Sequence, residues 1–329
     1  MRGPQRDTVG VGTAEFAASL LVDLYVSLRR NLQRWAAVTH QTPQARMGYV
    51  GQHLVSVVTG FPGGRSGARG DDLKLPGGGV GEIKCCYRVD QLGVCKHCGT
   101  RVASIETLCP SETCGSRDIV RKDDSKWLLS PKSESELKEL FLPRLYYLVL
   151  FEFADLAAAT DINVQIFTVD PRNLGFRLCM VDYYFNIRSN SKSAAPFNLW
   201  PGSLKFSLMK PELIYWSVIK PNDSVETKLF PGRDKAQLHA IAPLKEYANS
   251  DTLSDEAIEE LLKKVGLPRT KIYPEHNRRK RREGALEKLQ EARIKHGWDD
   301  AKLADTLAKI IYGPKFSEEM YRWSARHLP

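Results

Sequence analysis

The chain has 329 residues, 42% of them hydrophobic, enough for one large domain or two of ordinary size and for a core that needs no disulfides. No stretch approaches eighteen uninterrupted apolar residues, and the richest, Leu140 to Ala159, is broken by Pro143, Arg144, Glu152 and Asp155, which argues against a membrane span. Lys plus Arg number 48 against 39 Asp plus Glu, a formal charge of +9 that favours a polyanionic partner.

The N-terminus, Met1 to Arg6, leads into no apolar signal core, so a cytoplasmic protein is expected. From Thr13 to Ala37 the apolar residues Phe16, Leu20, Leu21, Leu24, Val26, Leu28 and Leu32 are spaced for one or two amphipathic helices, which Gly51 to Thr59 continue. Gly60 to Gly70 is a Gly-rich loop ending at Asp71-Asp72. Leu73-Lys74-Leu75 and Val80 to Lys84 flank Pro76-Gly77-Gly78-Gly79 and read as two short strands joined by a tight turn. A helix is expected from Ser133 to Phe141, extending past Pro143 into Tyr146 to Leu156. Three stretches rich in Val, Ile, Phe and Tyr follow as strands: Ile162 to Val169, Phe176 to Asn186 and Leu204 to Ile219. Beyond Asp251 the pattern becomes helical, with Ser254 as N-cap of Asp255 to Val265, then Asn277 to His296 and Asp299 to Ile311. The expected division is a core over 1–250, carrying an insertion at about 92–118, and a basic helical subdomain over 251–329.

The hairpin carries the chemistry. Alternation along a strand puts Glu82 and Lys84 on one face, about 7 Å apart, while Ile83 points to the core. The turn brings that face back to Asp72. Two carboxylates on neighbouring strands, with the backbone carbonyl of Ile83, form an oxygen-donor set suited to Mg²⁺. A metal held there lowers the pKa of a water and stabilises charge on a phosphate, with Lys84 placed to help position the nucleophile.

Through Gly70-Asp71-Asp72-Leu73 followed by Glu82-Ile83-Lys84, the sequence resembles the PD-(D/E)xK nuclease superfamily, and within it the type II restriction endonucleases. The resemblance covers roughly 51–91. No Pro precedes the Asp, and Asp71 stands as an alternative to Asp72. What the resemblance implies is an α/β fold with a mixed central sheet flanked by helices. It also implies Mg²⁺-dependent hydrolysis of double-stranded DNA at a specific sequence, a homodimer on the duplex, and a bacterial or archaeal cytoplasm. Catalytic roles then fall to Asp72, Glu82 and Lys84, with an upstream ligand at Glu15 or Gln52.

Seven cysteines in a cytoplasmic chain point to metal binding or burial. Cys95, Cys98, Cys109 and Cys114 form two pairs whose knuckles suit a structural zinc finger, with iron as the alternative metal. Cys85 and Cys86 continue the strand, one of them facing the core as a small hydrophobe, and Cys179 is expected buried in a strand. For DNA contacts the candidates are Arg88 and Gln91, beside the hairpin and able to reach base edges, and the run Arg278, Arg279, Lys280 for phosphates. Two other functions stay open: a noncatalytic zinc-containing DNA-binding regulator, and a repair or structure-specific nuclease on the same core.

Overall fold

A computed structural model describes residues 12–39, 47–64, 72–89, 92–103, 106–121, 127–199, 201–231, 241–250, 252–267 and 277–328. Thr13 caps the first helix, its hydroxyl accepting from the Phe16 N–H at 3.2 Å. Helix α1 (Ala14–Leu21) runs through a π turn over Val22–Val26 into α2 (Ser27–Thr39), and α3 (Gly48–Thr59) follows. The predicted helical N-terminal layer is therefore present.

The central sheet is mixed and six-stranded. Its members are β1 (Leu73–Lys74), β2 (Val80–Tyr87), β7 (Leu145–Phe153), β8 (Ile162–Val169), β10 (Glu212–Ile219) and β11 (Val225–Leu229), in the order β1-β2-β7-β8-β10-β11. Strand β1 is antiparallel to β2, with Leu73 opposite Gly81, and β2 is parallel to β7, with Glu82 opposite Tyr146. Gly77 and Gly78 lie at φ 75° and 81°, a left-handed conformation that a Cβ would disfavour, and so make the tight turn between β1 and β2.

Alternation along β2 and β7 sends Ile83, Tyr147, Val149 and Phe151 into one hydrophobic core with Leu21 and Tyr25 of the first helical segment and Leu54, Val55 and Val58 of α3. Each such side chain, once fully buried, contributes about 1.5–3 kcal/mol. Glu82, Lys84, Tyr146 and Leu148 occupy the opposite face of the same two strands.

Between β2 and β7 the chain makes a three-stranded antiparallel sheet from β3 (Gly93–Cys95), β4 (Arg101–Val102) and β5 (Ile119–Arg121), ordered β4-β3-β5. Its own small core is Cys95, Val102, Cys109 and Ile119. All of this belongs to one compact unit, Met1–Trp127 with Pro143–Thr168 and Leu213–Ala236.

A second unit comprises Leu128–Leu142, Val169–Glu212 and Gln237–Pro329. It holds the ribbon of β6 (Leu128–Leu129) with β9 (Phe197–Asn198), then α4 (Glu134–Glu139), α5 (Leu174–Asp182), α6 (Leu204–Leu208), α7 (Asp255–Lys264), α8 (Arg278–Lys295), α9 (Asp300–Tyr312) and α10 (Glu318–His327). The caps read from sequence at Ser133 and Ser254 are present, accepting from Glu136 N–H and Ala257 N–H at 3.2 Å each.

Three predicted elements are corrected. Tyr146 to Leu156 is not helical: Leu145–Phe153 is strand β7, enclosed between β2 and β8 and almost wholly buried, so its apolar run lacks the alternation of a half-exposed strand. Phe176 to Asn186 is not a strand but α5 and a π turn over Tyr183–Arg188, since Phe176, Cys179, Met180 and Tyr183 repeat at helical spacing and are all buried. Cys179 is thus buried in a helix, its sulfur 3.1 Å from the Tyr312 hydroxyl. Leu204 to Ile219 divides, because the Ser203 hydroxyl caps α6 through the Phe206 N–H at 3.1 Å and Pro211 separates that helix from β10.

Candidate active site

Helix α3 reaches the hairpin through a glycine. A Cβ added at Gly51 would stand 2.8 Å from the Cys85 Cβ and 2.9 Å from its sulfur, so α3 rests directly on β2 only because that side chain is missing. Burial pushes the Cys85 thiol far up, which leaves it a neutral packing group. The contact delivers the next residue, Gln52, to the carboxylate of Asp72: Gln52 Nε2 donates to Asp72 Oδ1 at 2.9 Å. On its other oxygen, Asp72 Oδ2 accepts the backbone N–H of Ile83, also at 2.9 Å. The carboxylate is thereby held between α3 and β2, one residue from both Glu82 and Lys84.

On the sheet face opposite the core, Lys84 Nζ donates to Glu82 Oε1 at 2.5 Å, and both side chains are partly exposed. Glu82 is flanked in register by Tyr146 of β7, which is 2% exposed. Burial, and after it the charge of Glu82, raises the Tyr146 phenol well above its ordinary range, so it stays protonated beside the carboxylate. The result is a partly open face carrying one carboxylate and one ammonium, with a second carboxylate fixed at its edge. Such a set can bind a hard cation through oxygen and a phosphate through Lys84.

Of the two upstream candidates, Gln52 is in contact with Asp72, whereas Glu15 lies on α1 in a groove shared with Glu226 and Thr227 of β11. Gly51 was not singled out from sequence, and the signal available was a small residue beside Gln52 on the apolar face of a helix. Asp71 and Gln91 lie outside the described residues. Arg88 is buried, its guanidinium 2.7 Å from Glu152 Oε2. In the second unit, Arg278 is 3.0 Å from Asp255, Arg279 is 2.8 Å from Glu283, and Lys280 is exposed at the first turn of α8.

The four cysteines of the inserted sheet converge. The sulfurs of Cys95, Cys98, Cys109 and Cys114 all lie within 4.8 Å of one another, with Cys95 to Cys114 at 3.6 Å and Cys98 to Cys109 at 3.4 Å. None is in a disulfide. Tetrahedral zinc–sulfur bonds of about 2.3 Å require sulfurs about 3.8 Å apart, so the spacing fits such an ion. Hydrogen bonding with the Thr100 side chain, then with its backbone, draws the Cys98 thiol down to about 6. Cys114 is pushed up to about 12, where a hydrogen bond from the Ser116 backbone is outweighed by desolvation and by the sulfurs of Cys98 and Cys95. Crowded thiols ionise together only when a cation shares their charge.

Comparison with known proteins adds a family. One curated relative, the type II restriction enzyme MamI of Microbacterium ammoniaphilum, is 42% identical over 73 residues, a stretch that covers 21% of this chain and 24% of that protein. The chain thus aligns with only about a quarter of the length of this relative. No solved structure matches the chain. The profile of the MamI restriction endonuclease family matches residues 34–243, a span that includes Gln52, Asp72, Glu82, Lys84 and the four clustered cysteines. That match covers more than half of the chain, which therefore belongs to the MamI restriction endonuclease family.

Proposed function

We propose that the chain is a type II restriction endonuclease that hydrolyses phosphodiester bonds of double-stranded DNA at a specific sequence, on a PD-(D/E)xK core. The family carries the reading, and the single structural observation behind it is the tie from Asp72 to the Ile83 N–H, beside the Glu82–Lys84 pair. Asp72 and Glu82 supply oxygen donors for Mg²⁺, to which the Ile83 carbonyl adds a backbone ligand. The ion, when bound, would activate the attacking water and stabilise charge on the phosphate and the leaving oxygen.

The protein's own residues do the rest. Gln52 and the Ile83 N–H hold Asp72 in one orientation, so its lone pairs are aimed before substrate arrives. Lys84 keeps an ammonium at the site that can meet a nonbridging phosphate oxygen. Tyr146, neutral and buried, keeps water from one side of Glu82. The cysteine cluster holds zinc in a structural role, since four thiolates leave no open position. Lys280 and its neighbours on α8 are assigned to phosphate contact. The buried pair of Arg88 with Glu152 supports a structural role for that arginine in place of base reading.

The experiment is incubation of the purified chain with plasmid DNA and Mg²⁺, against an EDTA control. Discrete fragments that require Mg²⁺, lost in Asp72→Ala and Glu82→Ala while duplex binding persists, are expected. Intact DNA across many sequences and salt conditions overturns the proposal. Metal analysis of the same preparation should find one zinc per chain, lost in Cys109→Ser.

A further inference from the structure

The inserted sheet has two faces, and the cysteine cluster uses only one. Alternation sends Cys95, Val102 and Ile119 inward to the small core and leaves Val94, Arg101 and Val120 on the outer face. These three stand in one row across the sheet, since Val94 is paired with Arg101 of β4 on one side and with Val120 of β5 on the other. Val94 and Val120 are 47% and 50% exposed, so neither serves the core. Arg101 is exposed and has no ion-pair partner among the described residues. In the next row Lys96 and Asp118 neutralise each other at 2.8 Å. The free charge across these two rows is therefore one guanidinium beside two aliphatic side chains.

The sheet is tied at both ends to the strand beside the hairpin site. Before it, Arg88 is bonded through its N–H to the Phe151 carbonyl and through its guanidinium to Glu152. After it, the buried Trp127 indole donates to the Val149 carbonyl at 3.0 Å. All three partners belong to β7. Lys84 and Val94 are separated by a chain that spans at most about 36 Å when extended, so the row lies no farther from the hairpin site than about one turn of B-DNA.

The chemistry of the row selects its partner. An unpaired cation fits an anionic surface, yet a phosphate backbone offers nothing to Val94 and Val120. The major groove offers both contacts: guanine O6 and N7 accept a bidentate arginine, and the thymine methyl packs on aliphatic carbon. With strands about 4.8 Å apart the three-stranded sheet is about 10 Å across, and the groove is about 12 Å wide. We propose that the outer face of the inserted sheet enters the major groove and reads bases, Arg101 on a guanine and Val94 with Val120 against thymine methyls. This assignment rests on the duplex substrate of the function proposed above, and it puts Arg101 in the base-reading place of Arg88, which is committed to Glu152.

Selection of bound duplexes from a random pool, with Ca²⁺ in place of Mg²⁺, defines the sequence the wild-type chain recognises. Arg101→Ala should weaken binding to that duplex about 10- to 100-fold and binding to an unrelated duplex hardly at all, with zinc content and circular dichroism unchanged. Replacing single guanines by 7-deazaguanine and single thymines by uracil then locates the contacts. One deazaguanine should weaken the wild-type chain and leave Arg101→Ala no weaker than before, and uracil should behave in the same way with Val94→Ala/Val120→Ala. The base replacements act on the wild-type chain, so they decide the matter even where a variant loses its zinc.

Equal weakening of both duplexes by Arg101→Ala, with a shallower salt dependence, would make Arg101 a phosphate contact and overturn the assignment. Full discrimination in Arg101→Ala overturns it too, as does a wild-type chain insensitive to every deazaguanine. A chain that selects a duplex through Arg101 and does not cut it in Mg²⁺ removes the nuclease reading and leaves this face standing. One that cuts a single sequence equally well without Arg101 does the reverse, and one that selects no duplex overturns both.

Discussion

The hairpin site and the cysteine cluster, both in the first unit, are built in opposite ways. The cluster takes four thiols from a segment of twenty residues, Cys95 to Cys114, and brings them together through local knuckles and one small sheet. The hairpin site draws its carboxylates from Asp72, just before β1, and Glu82 of β2, and Asp72 is oriented from a third element, α3, which contacts β2 through a missing side chain at Gly51. A local site tolerates movement of the surrounding core, and a site assembled across elements inherits every shift in their packing. The two should therefore fail differently.

The largest expected effect separates chemistry from folding. Asp72→Ala or Glu82→Ala removes several kcal/mol of charge stabilisation, so DNA cleavage should fall by about 10³-fold or more. Zinc content and the melting temperature should hardly move. A melting loss comparable to that of a core mutation would make these carboxylates structural.

Next is the converse change at the cluster. Cys109→Ser, or a strong chelator, should release zinc and open the small sheet, read as new proteolytic cleavage between Gly93 and Arg121. Because the central sheet has its own core, the main melting transition should survive. Global unfolding on chelation would erase the contrast between the two regions.

Gly51→Val probes the coupling. A side chain forced against Cys85 should cost about 1–3 kcal/mol of stability by overpacking and move Gln52 away from Asp72. Chemical denaturation should show the first effect and cleavage assays the second, with zinc content unchanged. An active, fully stable Gly51→Val chain would remove α3 from the account of the site.

The smallest effect is at Gln52 itself. Gln52→Ala leaves Asp72 with its backbone donor but without the side-chain one, at a cost of about 1 kcal/mol in stability. Loss of such an orienting hydrogen bond should lower cleavage about 10- to 100-fold and weaken apparent Mg²⁺ affinity. Gln52→Glu, which sets an acceptor oxygen where Nε2 donates, should lose the contact with Asp72 as fully as Gln52→Ala does; a Gln52→Ala chain indistinguishable from wild type would make the contact incidental.

What was legible in the sequence follows the range of the interactions involved. The cysteine pairs were readable because knuckle spacing is local, and Glu82 and Lys84 shared a face because alternation is local too. Ser133 and Ser254 were readable as caps for the same reason. The errors fell where burial removed the pattern: β7 lies between two strands and shows an unbroken apolar run, and the aromatic residues of α5 imitated a strand until their helical repeat was enclosed on every side.

By itself, then, the sequence determined the hairpin with its paired Glu82 and Lys84, the thiol cluster, and the apolar residues of the first helices. Only tertiary structure decided what oriented Asp72, which of Glu15 and Gln52 reached it, and that Arg88 is committed to Glu152. It also decided which apolar residues of α1 and α2 enter the core and which stay outside. Spacing along one element sets the direction of a side chain, but its partner comes from another part of the chain, and only the packing of elements against one another brings the two within hydrogen-bond distance.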